Sequence, residues 1–162
     1  MDETNATDSL TSGVTCLRDV SSVRPLLERW RHETNGVSLG VEIDIEHVAA
    51  DVARLIDDPN ADVLGLVRDD LIVGFMGVHA FKSPTGPQGV VNEHYLYVAP
   101  EYRGMGAVRL IKAAKGWAAS RQCERLLLNA SYLASSQHDM ACKLYERLGG
   151  KPFETTYIME VT

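Results

Sequence analysis

The segment Arg103-Gly104-Met105-Gly106-Ala107, set between the strand-like run His94-Tyr95-Leu96-Tyr97-Val98 and a long helical pattern, constrains this chain more than any other. A glycine-bearing turn that opens a helix presents backbone N–H groups with no intrahelical partner at the positive end of the helix dipole, and together these bind an anion such as a phosphate. Pro100 sharpens the reading, because it cannot donate to a sheet ladder and so ends the strand ahead of the turn. The segment reads as strand, turn and anion-binding helix, although glycine pairs also serve ordinary turns.

Tyr97-Val98-Ala99-Pro100-Glu101-Tyr102-Arg103-Gly104-Met105-Gly106 resembles the acyl-CoA-binding segment of the GNAT superfamily of N-acetyltransferases, whose signature after a strand is Arg/Gln-x-x-Gly-x-Gly/Ala. Arg103 and Gly106 match it, and Val108 departs from it. A second stretch, Ala141-Cys142-Lys143-Leu144-Tyr145-Glu146-Arg147-Leu148-Gly149-Gly150, resembles the late helix of that family and the strand after it, with Gly150 where an aromatic residue is usual. The resemblance spans the chain from about Val14, and these two segments are its specific parts.

At 162 residues the chain suits one well-buried domain. A net charge of −6 disfavours nucleic acid as the main partner. No apolar run is long enough to span a bilayer, and the acidic, polar start Met1-Asp2-Glu3-Thr4-Asn5 is unlike a secretory signal, so a cytoplasmic protein without membrane contact is expected. Cys16, Cys123 and Cys142 are odd in number and widely spaced, which suggests free thiols; no His or Cys pair has metal-ligand spacing, so no metal is expected.

Residues 1–13 are polar and expected to be a disordered tail, followed by a single domain over 14–162. Val14 to Leu17 reads as a short strand, and Asp19 or Ser21 as the cap of a helix carrying Val23, Leu26, Leu27 and Trp30, broken at Asn35-Gly36. Asp44 caps the clearest amphipathic helix, with Ile45, Val48, Ala49, Val52, Leu55 and Ile56 on one face. Val63–Val67 and Leu71–Val78 form a hairpin around Arg68-Asp69-Asp70, a loop over 82–89 leads into a strand from Val90 to Val98, and a helix runs from Gly104 to Gln122. A buried strand Arg125–Asn129, a helix from about Gln137 to Leu148 and an extended Phe153 to Val161 complete a mixed α/β sheet. The resemblance implies the same order: a GNAT-like, mostly antiparallel sheet flanked by helices, with a splayed strand pair that binds acyl-CoA.

The resemblance further implies acetyl-CoA as acyl donor, held by Leu96, Tyr97 and Val98 through strand-edge amides and by Arg103, Gly104, Met105, Gly106, Ala107 and Val108 at the turn, with Asn129 at the end of the next strand. Arg103 either pairs with phosphate or packs its stem on the surface, Val108 either crowds a phosphate or points into the core, and Asn129 either bonds the pantetheine or ends the strand. Gly106→Glu is expected to block the phosphate site without unfolding the domain. Tyr145 matches the helix tyrosine that acts as general acid toward the leaving thiolate; the stripe Ala141, Leu144, Tyr145, Leu148 equally suits a core aromatic. Glu93 is the first choice of general base, and alternation puts it on the opposite strand face from His94. His94 and His79 are lesser candidates.

Glu42, Asp44 and Glu46 either give the acceptor mouth a negative rim or merely complement a helix dipole. The expected activity is acetyl transfer from acetyl-CoA to a primary amine of a small molecule or protein by direct attack. Two alternatives remain: a non-catalytic acyl-CoA sensor, and a phage or mobile-element acyltransferase acting on protein or nucleic acid through a basic strip of Arg24, Arg29 and Arg31 or Arg103, Arg109, Lys112 and Lys115. A homodimer is left open.

Overall fold

A computed structural model describes residues 13–34, 40–131 and 138–161. Residues 1–12 of the tail expected over 1–13, the Asn35-Gly36 break and a helix start at Gln137 lie outside the described residues, while Gly13 O accepts from Val67 N at 2.7 Å. The elements run β1 (Val14–Cys16), α1 (Arg24–Glu33), α2 (Ile45–Asp57), β2 (Ala61–Arg68), β3 (Leu71–Lys82), β4 (Gly89–Val98), α3 (Met105–Ser120), β5 (Arg125–Leu127) and α4 (His138–Arg147), with 3₁₀ turns at Val20–Ser22 and Pro100–Tyr102. They form a five-stranded sheet in the order β1-β2-β3-β4-β5, antiparallel except for the parallel β4–β5 pair.

Helices cover both faces. On one, Leu26 and Leu27 of α1 and Val48, Val52 and Leu55 of α2 pack on Val63, Phe75 and Tyr97. On the other, Leu110, Ala113, Ala114 and Trp117 of α3 pack on Leu64, Leu66, Met76, Val91 and Val98. Burial on both faces explains why β2 and β3 read as continuous apolar runs. The β2–β3 hairpin closes through Asp69 and Asp70 at φ 47° and 63°, with Arg68 opposite Leu71. Two consecutive left-handed residues match the right-handed twist of the flanking strands.

Several elements differ from the sequence reading. Asp19 accepts a bond from Ser21 N, but it caps the 3₁₀ turn; α1 starts at Arg24, with Pro25 in its first turn and no side-chain cap. The hairpin strands reach Ala61 and Lys82, because backbone pairing continues past the apolar run through Asp62 and His79. The strand expected over Arg125–Asn129 stops at Leu127 and is an unburied edge strand. No strand forms over Phe153–Val161, and every residue from Gly149 to Val161 is exposed.

Gly104 carries φ 76° at the start of α3, in the left-handed region that glycine enters without cost. Gly106 is buried, and a Cβ there would meet Leu66 Cδ2 at 2.9 Å and Val98 Cγ1 at 3.1 Å. Its missing side chain lets α3 lie directly on β2 and β4. A glutamate at position 106 therefore strains the core, contrary to the expectation that Gly106→Glu spares the fold.

Candidate active site

The β4–β5 ladder is short. It pairs Val90, Val91 and Asn92 with Arg125, Leu126 and Leu127 and then ends, so among the described residues β4 from Glu93 to Val98 has a strand neighbour on the β3 side alone. Into the resulting wedge opens a cleft of about 500 Å³, walled by Glu93 to Val98 of β4, by Leu144 and Tyr145 of α4 and by Trp30 and Glu33 of α1. Arg103, Gly104 and Ala107 line its other end. The first backbone bond of α3 runs from Val108 N to Gly104 O at 3.1 Å. The N–H groups of Met105, Gly106 and Ala107 are therefore beyond the reach of intrahelical pairing, at the positive end of a 16-residue helix. Val108 is half-buried and does not line the cleft.

A bulge in β4 organises the rest. Gly77 pairs with Tyr95 and Val78 with Glu93, which leaves His94 without a partner. The inserted residue resets the alternation. Tyr95 donates to Asp51 Oδ2 of α2 at 2.8 Å, and His94 Nε2 lies 3.7 Å from the same oxygen. Glu93 goes the other way, toward the segment after β5.

There the Glu93 carboxylate, 5% exposed, accepts a bond from Asn129 N at 2.8 Å. The Asn129 amide donates to Glu93 O at 2.6 Å, and Asn129 O accepts from the Tyr145 hydroxyl at 3.4 Å. Asn129 thus joins both residues through its main chain while its side chain clamps β4. Burial pushes the Glu93 carboxyl up to about 7, against the pull of the Asn129 N–H. Burial also raises the Tyr145 phenol, with the neighbouring Glu93 adding to it, so the hydroxyl keeps its proton at neutral pH.

At the opposite end Tyr97 donates to Glu33 Oε1 at 2.6 Å, and Arg103 pairs with the same carboxylate while its Nε donates to Val98 O at 3.0 Å. The Arg103 side chain is turned onto the protein, away from the free N–H groups of α3. Glu33, Trp30 and Tyr95 were not singled out from the sequence. The one signal was Trp30 and Glu33 at i, i+3 on a helix end, too common to read.

Other expected features fall outside the cleft. Glu42, Asp44 and Glu46 are not among its lining residues; Asp44 caps α2 through His47 N, and Glu46 pairs with Arg24. His79 lies near Asp58, beyond the cleft lining. The first of the two basic strips is neutralised, with Arg24 on Glu46, Arg29 on Glu101 and Arg31 on Glu28; of the second, Arg103 is paired with Glu33. All three cysteines are free, and burial pushes the Cys16 thiol up to about 11. Among the described residues no group of three or more His, Cys, Asp or Glu can hold a metal ion, and no helix is long and apolar enough to cross a membrane.

The cleft thus lies where β4 parts from its parallel neighbour β5, beside the N-terminus of α3. The chain matches the Acetyltransferase (GNAT) family over residues 24–150 and belongs to it. A comparison with curated proteins finds no match. Among solved structures, it is similar to a ribosomal-protein-alanine N-acetyltransferase from Brucella melitensis biovar Abortus 2308, at 24% identity over 91% of this chain and 99% of that one, TM-score 0.69. An aminoglycoside acetyltransferase from an uncultured soil metagenomic sample aligns at 21% identity over 92% and 97%, TM-score 0.68. A protein described as a transcriptional regulator from Bacillus halodurans C-125 aligns at 18% over 91% and 99%, TM-score 0.71. These likenesses carry the fold; the family match carries acetyl transfer.

Proposed function

We propose that the protein is a cytoplasmic N-acetyltransferase that moves the acetyl group of acetyl-CoA to a primary amine by direct attack, without a covalent enzyme intermediate. The observation that carries this reading is the meeting of Glu93 and Tyr145 on Asn129 at the wedge, one carboxyl raised to about 7 and one phenol held protonated. Amide formation from a thioester needs a neutral amine and a proton for the departing sulfur. Glu93 takes the amine's proton, directly or through one water. The amine nitrogen then bonds to the thioester carbon, the C–S bond breaks, the Tyr145 hydroxyl hands its proton to the thiolate, and the surplus proton on the nitrogen passes through solvent to restore the phenol. The products are an amide and a free thiol.

Donor binding is assigned to the N–H groups of Met105, Gly106 and Ala107 for the pyrophosphate, and to the open edge at Leu96, Tyr97 and Val98 for the pantetheine amides. Arg103 and Asn129 shape this cleft through Val98 O and Glu93 O. The acceptor enters from the side of Trp30 and Tyr95, and the two similar acetyltransferases, one named for a protein and one for a small molecule, leave both classes of amine in view.

The test is incubation with acetyl-CoA and a panel of small amines, peptides and nucleic acids, reading free thiol. Amine-dependent thiol release is expected. Saturable acetyl-CoA binding without release on any acceptor would overturn the enzyme in favour of a non-catalytic acyl-CoA-binding module.

A further inference from the structure

The segment after α4 is at odds with the rest of the molecule. Phe153, Tyr157, Ile158, Met159 and Val161 are 78%, 82%, 62%, 84% and 100% exposed. A run of large apolar side chains in water marks a surface that is covered by something. Its pattern says how. Phe153, Thr155, Tyr157, Met159 and Val161 alternate with Glu154, Thr156, Ile158 and Glu160, the signature of a strand with one apolar and one polar face.

The surfaces such a strand needs are on the same chain. β5 is an edge strand, bonded on its β4 side alone among the described residues. α4 buries none of its side chains fully, although Ala141, Leu144 and Tyr145 share a stripe. Both surfaces are left open by the segment's own course. Gly150 N bonds Tyr145 O at 2.9 Å and Gly149 N bonds Glu146 O at 3.0 Å, a closure that fixes the end of α4. Pro152 then locks its own φ and confines Lys151 to extended backbone. Residues 153–161, which follow this short, stiff hinge, are exposed throughout and join no strand of their own sheet.

We propose that two copies of the chain exchange these arms, each laying residues 153–161 along β5 of the other and its apolar face over α4. One operation satisfies both arms and both open edges, as a two-fold interface requires. The four large apolar side chains on that face, Phe153, Tyr157, Met159 and Val161, bury on the order of 1,600 Å² over the two arms, the size of a standard stable interface. The exchanged arm also completes the packing behind α4, which carries Tyr145 on the cleft wall, so each site is finished by the partner. Oligomeric state is read without reference to activity and stands or falls apart from the assigned reaction.

Light scattering and amide hydrogen exchange on the full chain test this. A dimer with protected amides over 153–161 and 125–127 is expected. Tyr157→Lys with Met159→Lys should give a monomer with an unprotected arm, whereas Thr156→Lys, on the polar face, should stay dimeric. Should the lysine variant not fold, a chain ending at Pro152 gives the same reading. Inserting about six Gly-Ser residues after Gly150 frees the arm to fold back and should convert dimer to monomer. A monomeric parent, or a dimer that survives the lysines, the truncation or the insertion, overturns the exchange.

Discussion

Glu33 and Glu93 line the same cleft, and folding moves their carboxyls in opposite directions. Burial raises both. At Glu33 the Tyr97 hydroxyl and the Arg103 guanidinium outweigh it and hold the carboxyl below its ordinary range. At Glu93 a single backbone N–H from Asn129 opposes burial and loses, and the carboxyl rises to about 7. Depth and partners act together: Glu93 is 5% exposed and meets one N–H, whereas the Glu33 side chain is 31% exposed and meets a hydroxyl and a guanidinium, so one carboxyl rises and the other falls. Glu33 anchors Arg103 against β4. In the proposed mechanism Glu93 exchanges a proton near neutral pH.

The largest effect that tests this contrast is expected from Glu93→Gln, which keeps the shape and removes the base. Turnover should fall on the order of 10³-fold, with donor affinity little changed. Steady-state kinetics on an active acceptor check it, and a variant within a few-fold of the parent would leave Glu93 a structural residue. Tyr145→Phe keeps the ring against α4 and deletes the donated proton; a fall on the order of 10²-fold is expected. Equal turnover of phenylalanine and tyrosine forms would assign the proton to water.

The contrast also has a stability signature. The folded chain holds the Glu93 proton between about pH 4.5 and 7 while the unfolded chain has released it, so stability from this group is full below 4.5 and is lost as pH rises through 7. Glu93→Gln should match the parent near pH 4 and exceed it by on the order of a few kcal/mol at pH 8. Urea unfolding at the two pH values measures this, and an equal margin at both would contradict the buried, raised carboxyl. The smallest effect belongs to Glu33→Gln. Its partners are partly solvent-screened, so a loss of about 1 kcal/mol and turnover within a few-fold of the parent are expected. A collapse of activity there would erase the distinction between the two carboxylates.

Much of this architecture was legible because local rules and global packing agree. The Asp44 cap, the α2 stripe and the Asp69-Asp70 turn each have a near-neighbour cause, and each stands where the periodicity put it. Glu93, Asn129 and Tyr145 were named through the family resemblance, and their convergence depends on where β4 and β5 part, which no local pattern encodes. The bulge at His94 was hidden for the same reason: it separates Glu93 from Tyr95, residues that simple alternation places together. Gly77 was the available signal, since a Cβ there would sit 3.3 Å from the Tyr95 ring and 3.5 Å from His94 Cβ. Arg103 illustrates the converse. Its motif position points to phosphate, and Glu33, 70 residues earlier in the chain, takes it instead.

The account rests on Glu93 titrating near neutrality, and the direct measurement is a carbon-13 NMR titration of its side-chain carboxyl, assigned by the signal lost in Glu93→Gln. A midpoint near 7 is predicted. A midpoint near the ordinary 4.5 would contradict it and remove Glu93 as the base.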